Sequence, residues 1–169
     1  MRSLESLRNL IGGLMTFAIG YALAACAAGP DVVNHTFEFN ALRDSPGIEI
    51  LDHRYGDSKF PGASNPEHLL KLGEALQRTG ITGEMNRPDR LYVKSRVMAE
   101  NKVYEDTVDL RKRLPRNITD CTVYFMVEGP QLYVYLIHPE RRPEGAPSSG
   151  PRQYRGRKVT TLYPDQPKR

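Results

Sequence analysis

Two cysteines, four histidines and a cluster of three carboxylates are the side chains of this sequence with the most chemical potential. Cys26 stands directly after Leu23-Ala24-Ala25, at the end of an apolar run from Leu10 to Ala22, where a thiol would be presented at a membrane surface. Cys121 adjoins Thr122-Val123-Tyr124-Phe125, and no sequence pattern ties a histidine to it, so it reads as a small buried hydrophobe. His35, His53, His68 and His138 are scattered and read as surface or loop residues rather than ligands. Asp52-His53-Arg54 with Asp57 reads as a solvated charged set at a strand end. Glu105, Asp106 and Asp109 lie close together, ahead of Arg111-Lys112-Arg113. In a strand, Glu105 and Asp109 share one face around Thr107, while Asp106 joins Tyr104, Val108 and Leu110 on the other. Such a strand offers carboxylates to a cationic partner site. Its alternative role is a charged edge that keeps the sheet from pairing with other chains.

Signatures of catalysis are missing from the sequence: no Gly-x-Ser-x-Gly elbow, His-Glu-x-x-His pair, phosphate loop or dinucleotide glycine pattern occurs. The acidic strand also lacks the glycine-containing loop of calcium motifs. A chain that is not an enzyme and carries neither cofactor nor metal is therefore expected.

The start of the chain says where it works. Arg2 and Arg8 precede the apolar run, and small residues follow it, the order of a secretory signal peptide. Leu23-Ala24-Ala25-Cys26 resembles the lipobox of bacterial lipoproteins. That resemblance implies a diacylglyceryl thioether on Cys26 and cleavage between Ala25 and Cys26, which removes residues 1–25. Ala27, in place of an aspartate, resembles the sorting pattern for the outer membrane. The expected site is thus the periplasmic side of that membrane, with the inner membrane as the second choice. An uncleaved anchor spanning Leu10 to Ala28 is the competing reading, because a span needs about 20 apolar residues. Both readings put residues 30–169 outside the cytoplasm and away from nucleic acid.

Charge is unevenly placed. The chain has 24 Lys and Arg against 20 Asp and Glu. Beyond Glu140, eight are basic and only Glu144 and Asp165 are acidic, so a mildly acidic body ends in a basic tail. Beside a bilayer, such a tail would contact anionic lipid. If Cys26 is acylated, Cys121 stands alone and no internal disulfide can form.

The elements that must position these groups are mostly strands. Residues 36–41 alternate polar with apolar, and Ile48-Glu49-Ile50-Leu51 follows the turn signal Ser45-Pro46-Gly47. Asn65-Pro66-Glu67 opens a helix over about 66–79, with Asn65 as cap, Leu69, Leu72 and Leu76 as its stripe, and Gly80 as its stop. Leu91, Val93 and Val97 face one way and Tyr92, Lys94 and Arg96 the other; residues 99–102 turn the chain into a strand from Val103 to Leu110. Gly129-Pro130 separates strands 122–128 and 131–137. Val123, Phe125 and Val127 point inward with Leu132, Val134 and Leu136. Tyr124, Tyr133 and Tyr135 lie on the opposite faces. Residues 139–151 carry four prolines and read as a linker or long loop. Residues 159–163 suit a last edge strand.

These elements predict a mainly β chain: an antiparallel β-sandwich or a β-rich α+β domain with one helix. Its expected organisation is a signal peptide over 1–25, an anchor and tether over 26–35, a β-rich domain over 36–138, the loop or linker over 139–151, and a basic segment over 152–169.

Leu91-Tyr92-Val93-Lys94, the run from Tyr104 to Leu110 and the run from Gln131 to Leu136 resemble small lipoproteins of Gram-negative bacteria, some of them encoded beside type VI secretion effectors. The resemblance implies an immunity protein that neutralises a cognate effector, for instance a phospholipase. A structural or assembly lipoprotein of the envelope, or of a secretion system, is the alternative. The contact surface expected for a protein partner comprises Tyr104, Glu105, Asp106 and Asp109 with Tyr133 and Tyr135.

Overall fold

The computed structural model describes residues 31–165. The segment expected to be a signal peptide, with Ala25, Cys26 and Ala27, lies outside the described residues, as do residues 166–169.

Alternation builds the strands. In β6 (Thr122–Glu128) and in the first part of β7 (Gln131–Arg141), up to Leu136, every second side chain is apolar and buried. They pair antiparallel from Glu128 opposite Gln131 to Thr122 opposite Ile137. Gly129 has φ +54°, the left-handed region that a two-residue hairpin turn requires of its first residue. β4 (Arg90–Val97) and β5 (Lys102–Asp109) form the second hairpin, with Asn101 at φ +52°. Leu91, Val93 and Val97 turn inward as the pattern predicts, and Ser95 joins them.

Two sheets result. The larger has the order β3-β1-β6-β7-β8, with β1 (Val32–Asn40), β3 (Arg78–Asn86) and β8 (Arg157–Tyr163); the smaller is β2-β4-β5, with β2 (Ile48–Tyr55). The chain is therefore mainly β, as expected. One pairing departs from the antiparallel reading: β1 runs parallel to β6, with Thr36 opposite Thr122.

The core lies between the sheets. Phe37, Phe39, Val123, Phe125, Val127, Leu132, Val134 and Leu136 of the large sheet meet Ile50, Tyr55, Leu91, Val93 and Val108 of the small one. Phe37 stacks on Tyr55 at 4.1 Å and Phe39 on Phe125 at 4.4 Å between ring centroids. Burying such rings fully stabilises the fold by about 1.5–3 kcal/mol each.

The long helix is not there. A helix of five residues, α2 (Glu67–Lys71), follows a four-residue helix, α1 (Ala41–Asp44), that the sequence reading does not foresee. Gly73, at φ +74°, turns the chain just beyond α2. Leu72 is left 71 % exposed, so the stripe has nothing to pack on. Asn65 does not cap: its side chain accepts from the Leu76 amide at 2.8 Å and donates to Asp52 at 3.2 Å. Residues 78–86 pair instead with all of β1, which places Gly80 within β3. Nine backbone pairings on a preformed neighbour outweigh a helical turn that buries no apolar face.

The outer face of the large sheet carries a second cluster of Tyr124, Tyr135 and Ile137, packed by Met126, Tyr133, Tyr154 and Val159. Residues 142–156, including a short 3-10 helix over Arg152–Tyr154, return over this face. β7 itself continues to Arg141, and β8 pairs with β7 at the sheet edge. The proline-rich stretch is thus the end of a strand followed by a packed loop, in which Pro151 is buried.

Two histidines contradict the surface reading: His35 and His53 are fully buried. His35 Nδ1 donates to the Val33 carbonyl at 2.8 Å, so Nε2 accepts from the Tyr55 hydroxyl at 3.0 Å. His53 Nε2 donates to the Gly62 carbonyl at 3.0 Å, leaving Nδ1 buried without a partner. Burial lowers the pKa of both, because a charged imidazole would lose its water. They sit inside because β1 and β2 present them to the core face. Cys121 is buried as expected, and burial pushes its thiol pKa up.

Candidate functional site

Strand parity decides which groups face out from the small sheet. On β4, Tyr92, Lys94 and Arg96 alternate with the buried Leu91, Val93, Ser95 and Val97. On β5, Glu105, Thr107 and Asp109 point out, whereas Tyr104 and Asp106 lie on the side of the buried Val108. A register shift in β2 between Ile50 and Asp52 resets that strand, so His53 faces in and Arg54 out.

The outward groups are knitted together. Lys94 lies directly opposite Glu105, and its Nζ approaches the carboxylate to 2.8 Å; the Tyr92 hydroxyl donates to the same carboxylate at 3.1 Å. These bonds lower the Glu105 pKa. Arg96 reaches Glu49 at 3.0 Å. Arg111 grips Asp109 through its side chain at 2.6 Å and its backbone amide at 3.0 Å, pulling that carboxyl to about 2. Two of the three clustered carboxylates are thus engaged internally. The third, Asp106, is half-buried on the inner side of an edge strand, where burial raises its pKa. An inward charge at a sheet edge discourages strand addition. The acidic strand therefore does not present three free carboxylates to a cationic partner.

A groove of about 450 Å³ opens beside it, lined by Arg54, Gly56, Asp57, Arg90, Tyr92 and Thr107. The Arg54 guanidinium lies 4.5 Å above the centre of the Tyr92 ring, its residue directly opposite in the ladder. Arg54 and Arg90 each have a carboxylate only at 3.8 Å, from Asp52 and Asp89. Both guanidiniums thus keep donors free for an incoming acceptor. Chemically the groove can hold a polar or acidic protrusion against an aromatic wall. Sequence reasoning saw Arg54 only as part of a solvated charged set. Nothing in a linear sequence sets it beside Tyr92 and Arg90, because β2 and β4 are joined through β3.

Tyr133 and Tyr135 do not belong to this surface. They lie on the outer face of the large sheet, with the core between them and the acidic strand. Tyr135 is only 8 % exposed, and burial pushes its pKa up to about 12. With Ser149, Gly150, Thr161, Pro164 and Asp165 the two rings line a separate cavity of about 300 Å³. The six residues expected to form one contact surface are therefore divided among three faces: Glu105 and Asp109 outside the small sheet, Tyr104 and Asp106 on its inner side, and Tyr133 and Tyr135 outside the large one.

Among the described residues, no group of three or more His, Cys, Asp or Glu is placed to hold a metal ion, and no helix is long and apolar enough to cross a membrane. Comparison with protein-family models, with curated proteins and with solved structures returned no match.

Proposed function

We propose that this chain is a lipid-anchored, non-catalytic binding protein on the periplasmic side of the outer membrane, and that it protects the cell by neutralising a cognate secreted effector. The lipobox-like Leu23-Ala24-Ala25-Cys26 supports the location. The groove between Arg54, Tyr92 and Arg90 carries the binding reading. Tyrosine and arginine are residue types enriched at the energetic centres of protein interfaces, and here their backbones sit on paired strands, with Arg54 stacked on the Tyr92 ring. A partner loop bearing a carboxylate would meet both guanidiniums there, which revises the charge expected of the partner from cationic to acidic. Tethering at the membrane raises the local concentration of the protein where an effector would act.

Neighbouring genes make the first discrimination, because an adjacent effector or spike-protein gene favours immunity and an envelope-assembly operon favours the structural role. The direct test expresses the adjacent effector in the periplasm with and without this protein. Protection is expected from the wild type, with weaker protection from Arg54→Ala combined with Tyr92→Ala. Loss of both protection and binding in the wild-type pair refutes the reading.

A further inference from the structure

Five cations crowd the base of the hairpin formed by β7 and β8. Arg141 lies directly opposite Arg157 in the ladder, flanked by Arg142, Arg155 and Lys158. All five are exposed, and none makes a salt bridge among the described residues. Their side-chain contacts are with carbonyls: Arg142 donates to Ala146 at 2.8 Å, and Arg157 donates to Pro139. The nearby acids are Asp120, which accepts from Asn34 at 3.2 Å, Glu140, which lies 3.8 Å from His138, and Glu144 in the adjoining loop. Like charges placed directly opposite in a sheet destabilise it. An anion supplied from outside would relieve that repulsion.

Register places this cluster at the end of the sheet where β1 begins. Thr36 pairs with Thr122, Thr122 with Ile137, and Ile137 with Val159, which defines one level across four strands. From that level, Val32 and Arg141 are each four residues along in the same direction, and Arg157 is on the same side. The charges of Asp120, Glu140 and Lys158 all act on the Cys121 thiol, and the Cys121 carbonyl accepts from the Thr36 amide at 2.9 Å. The start of β1 and the cationic base therefore share a corner. Cys26 precedes Val32 by six residues, a tether that spans at most about 20 Å.

We propose that the base of the β7–β8 hairpin rests on the anionic phospholipid headgroups of the leaflet that holds the Cys26 anchor. The contact fixes the orientation of the sandwich, with the turns at Gly47, Met98 and Gly129 pointing away from the bilayer. This orientation rests on the lipoprotein reading, whereas the affinity of the patch for anionic lipid does not. Each cation brought to the headgroups strengthens binding about fivefold.

The test uses the mature chain, residues 26–169, carrying Cys26→Ser so that no acyl group contributes. Flotation is measured with phosphatidylcholine vesicles, with and without phosphatidylglycerol. Binding is expected only to the anionic vesicles, and it should weaken as salt rises. R141E/R157E/K158E should lower it at least about a hundredfold. R78E/K71E/K102E, which changes net charge equally at other places, should leave it near the wild type. Equal loss in both triple variants, equal binding to neutral vesicles, or binding to soluble polyphosphate without binding to vesicles would each overturn the proposal. Palmitate labelling of the full chain reports the anchor separately, so failure of the patch and failure of the lipoprotein reading are distinguishable.

Discussion

Acidifying this protein should unfold it through its two buried histidines. His35 is held neutral by a bond to Val33 and one from Tyr55, and His53 has no acceptor for a second proton. Burial puts both folded pKa values below the ordinary 6.5. Below pH 6.5 the unfolded chain then binds protons that the folded chain refuses. Stability is complete above that pH and is lost as pH falls. Each such proton is worth about 1.4 kcal/mol per pH unit. The drop between pH 7.5 and 5.0 is at most about 4 kcal/mol, the limit reached if both rings stay neutral in the fold throughout, which is a large share of the stability of a domain this size. The engaged carboxylates Glu105 and Asp109 have lowered pKa values, so their contributions fade only below about pH 4, whereas Asp106, raised by burial, acts in the opposite direction and makes the profile shallower at its acidic end. His138, half-buried and lowered by burial and by Lys158, adds in the same direction as His35 and His53. Urea unfolding at steps between pH 7.5 and 5.0 measures the slope. The variant His35→Gln with His53→Gln should be less stable at pH 7.5 and have a much flatter profile. A wild-type profile that is flat, or a double variant that keeps the wild-type slope, would refute the reasoning.

Three further outcomes are expected. Metabolic palmitate should label the wild-type chain and not Cys26→Ala; equal labelling of both would exclude the anchor at that thiol. Tyr124→Phe should cost about 1–3 kcal/mol in urea unfolding, because the Tyr124 hydroxyl donates at 2.6 Å to the buried Asp44, whose other oxygen already has no partner. Gly150→Ala should destabilise by about 1–2 kcal/mol, since Gly150 has φ +75° and a Cβ there would stand 3.0 Å from Val159; an unchanged denaturation midpoint would mean that the 142–156 loop does not hold its place on the sheet.

Much of the fold was legible because period-two burial is written locally. The inward sets on β4, β6 and β7 follow from alternation alone, and so does the division of β5 into an outer face with Glu105 and Asp109 and an inner face with Asp106. The same parity set Tyr124, Tyr133 and Tyr135 on the opposite faces of β6 and β7, though it did not foretell that a loop beginning only at Arg142 would cover them. β3 was not legible. Gly80 and Gly83 thin its pattern, and the ring of Phe60 lies where a Cβ at Gly83 would fall, a contact that only the folded chain reveals.

By itself, then, the sequence determined the mainly β class, the faces of the regular strands and the signal-like start. Each of these is a property of neighbouring residues and their spacing. Only the tertiary structure decided which strands share a sheet. That choice parted Tyr133 and Tyr135 from the acidic strand, set Arg54 on Tyr92, and buried His35 and His53. It also shortened the helix, because residues 78–86 found nine partners on β1 while Leu72 found no apolar surface. Pairings between residues distant along the chain depend on which surfaces remain to be buried once the hairpins have formed, and local spacing carries no record of that.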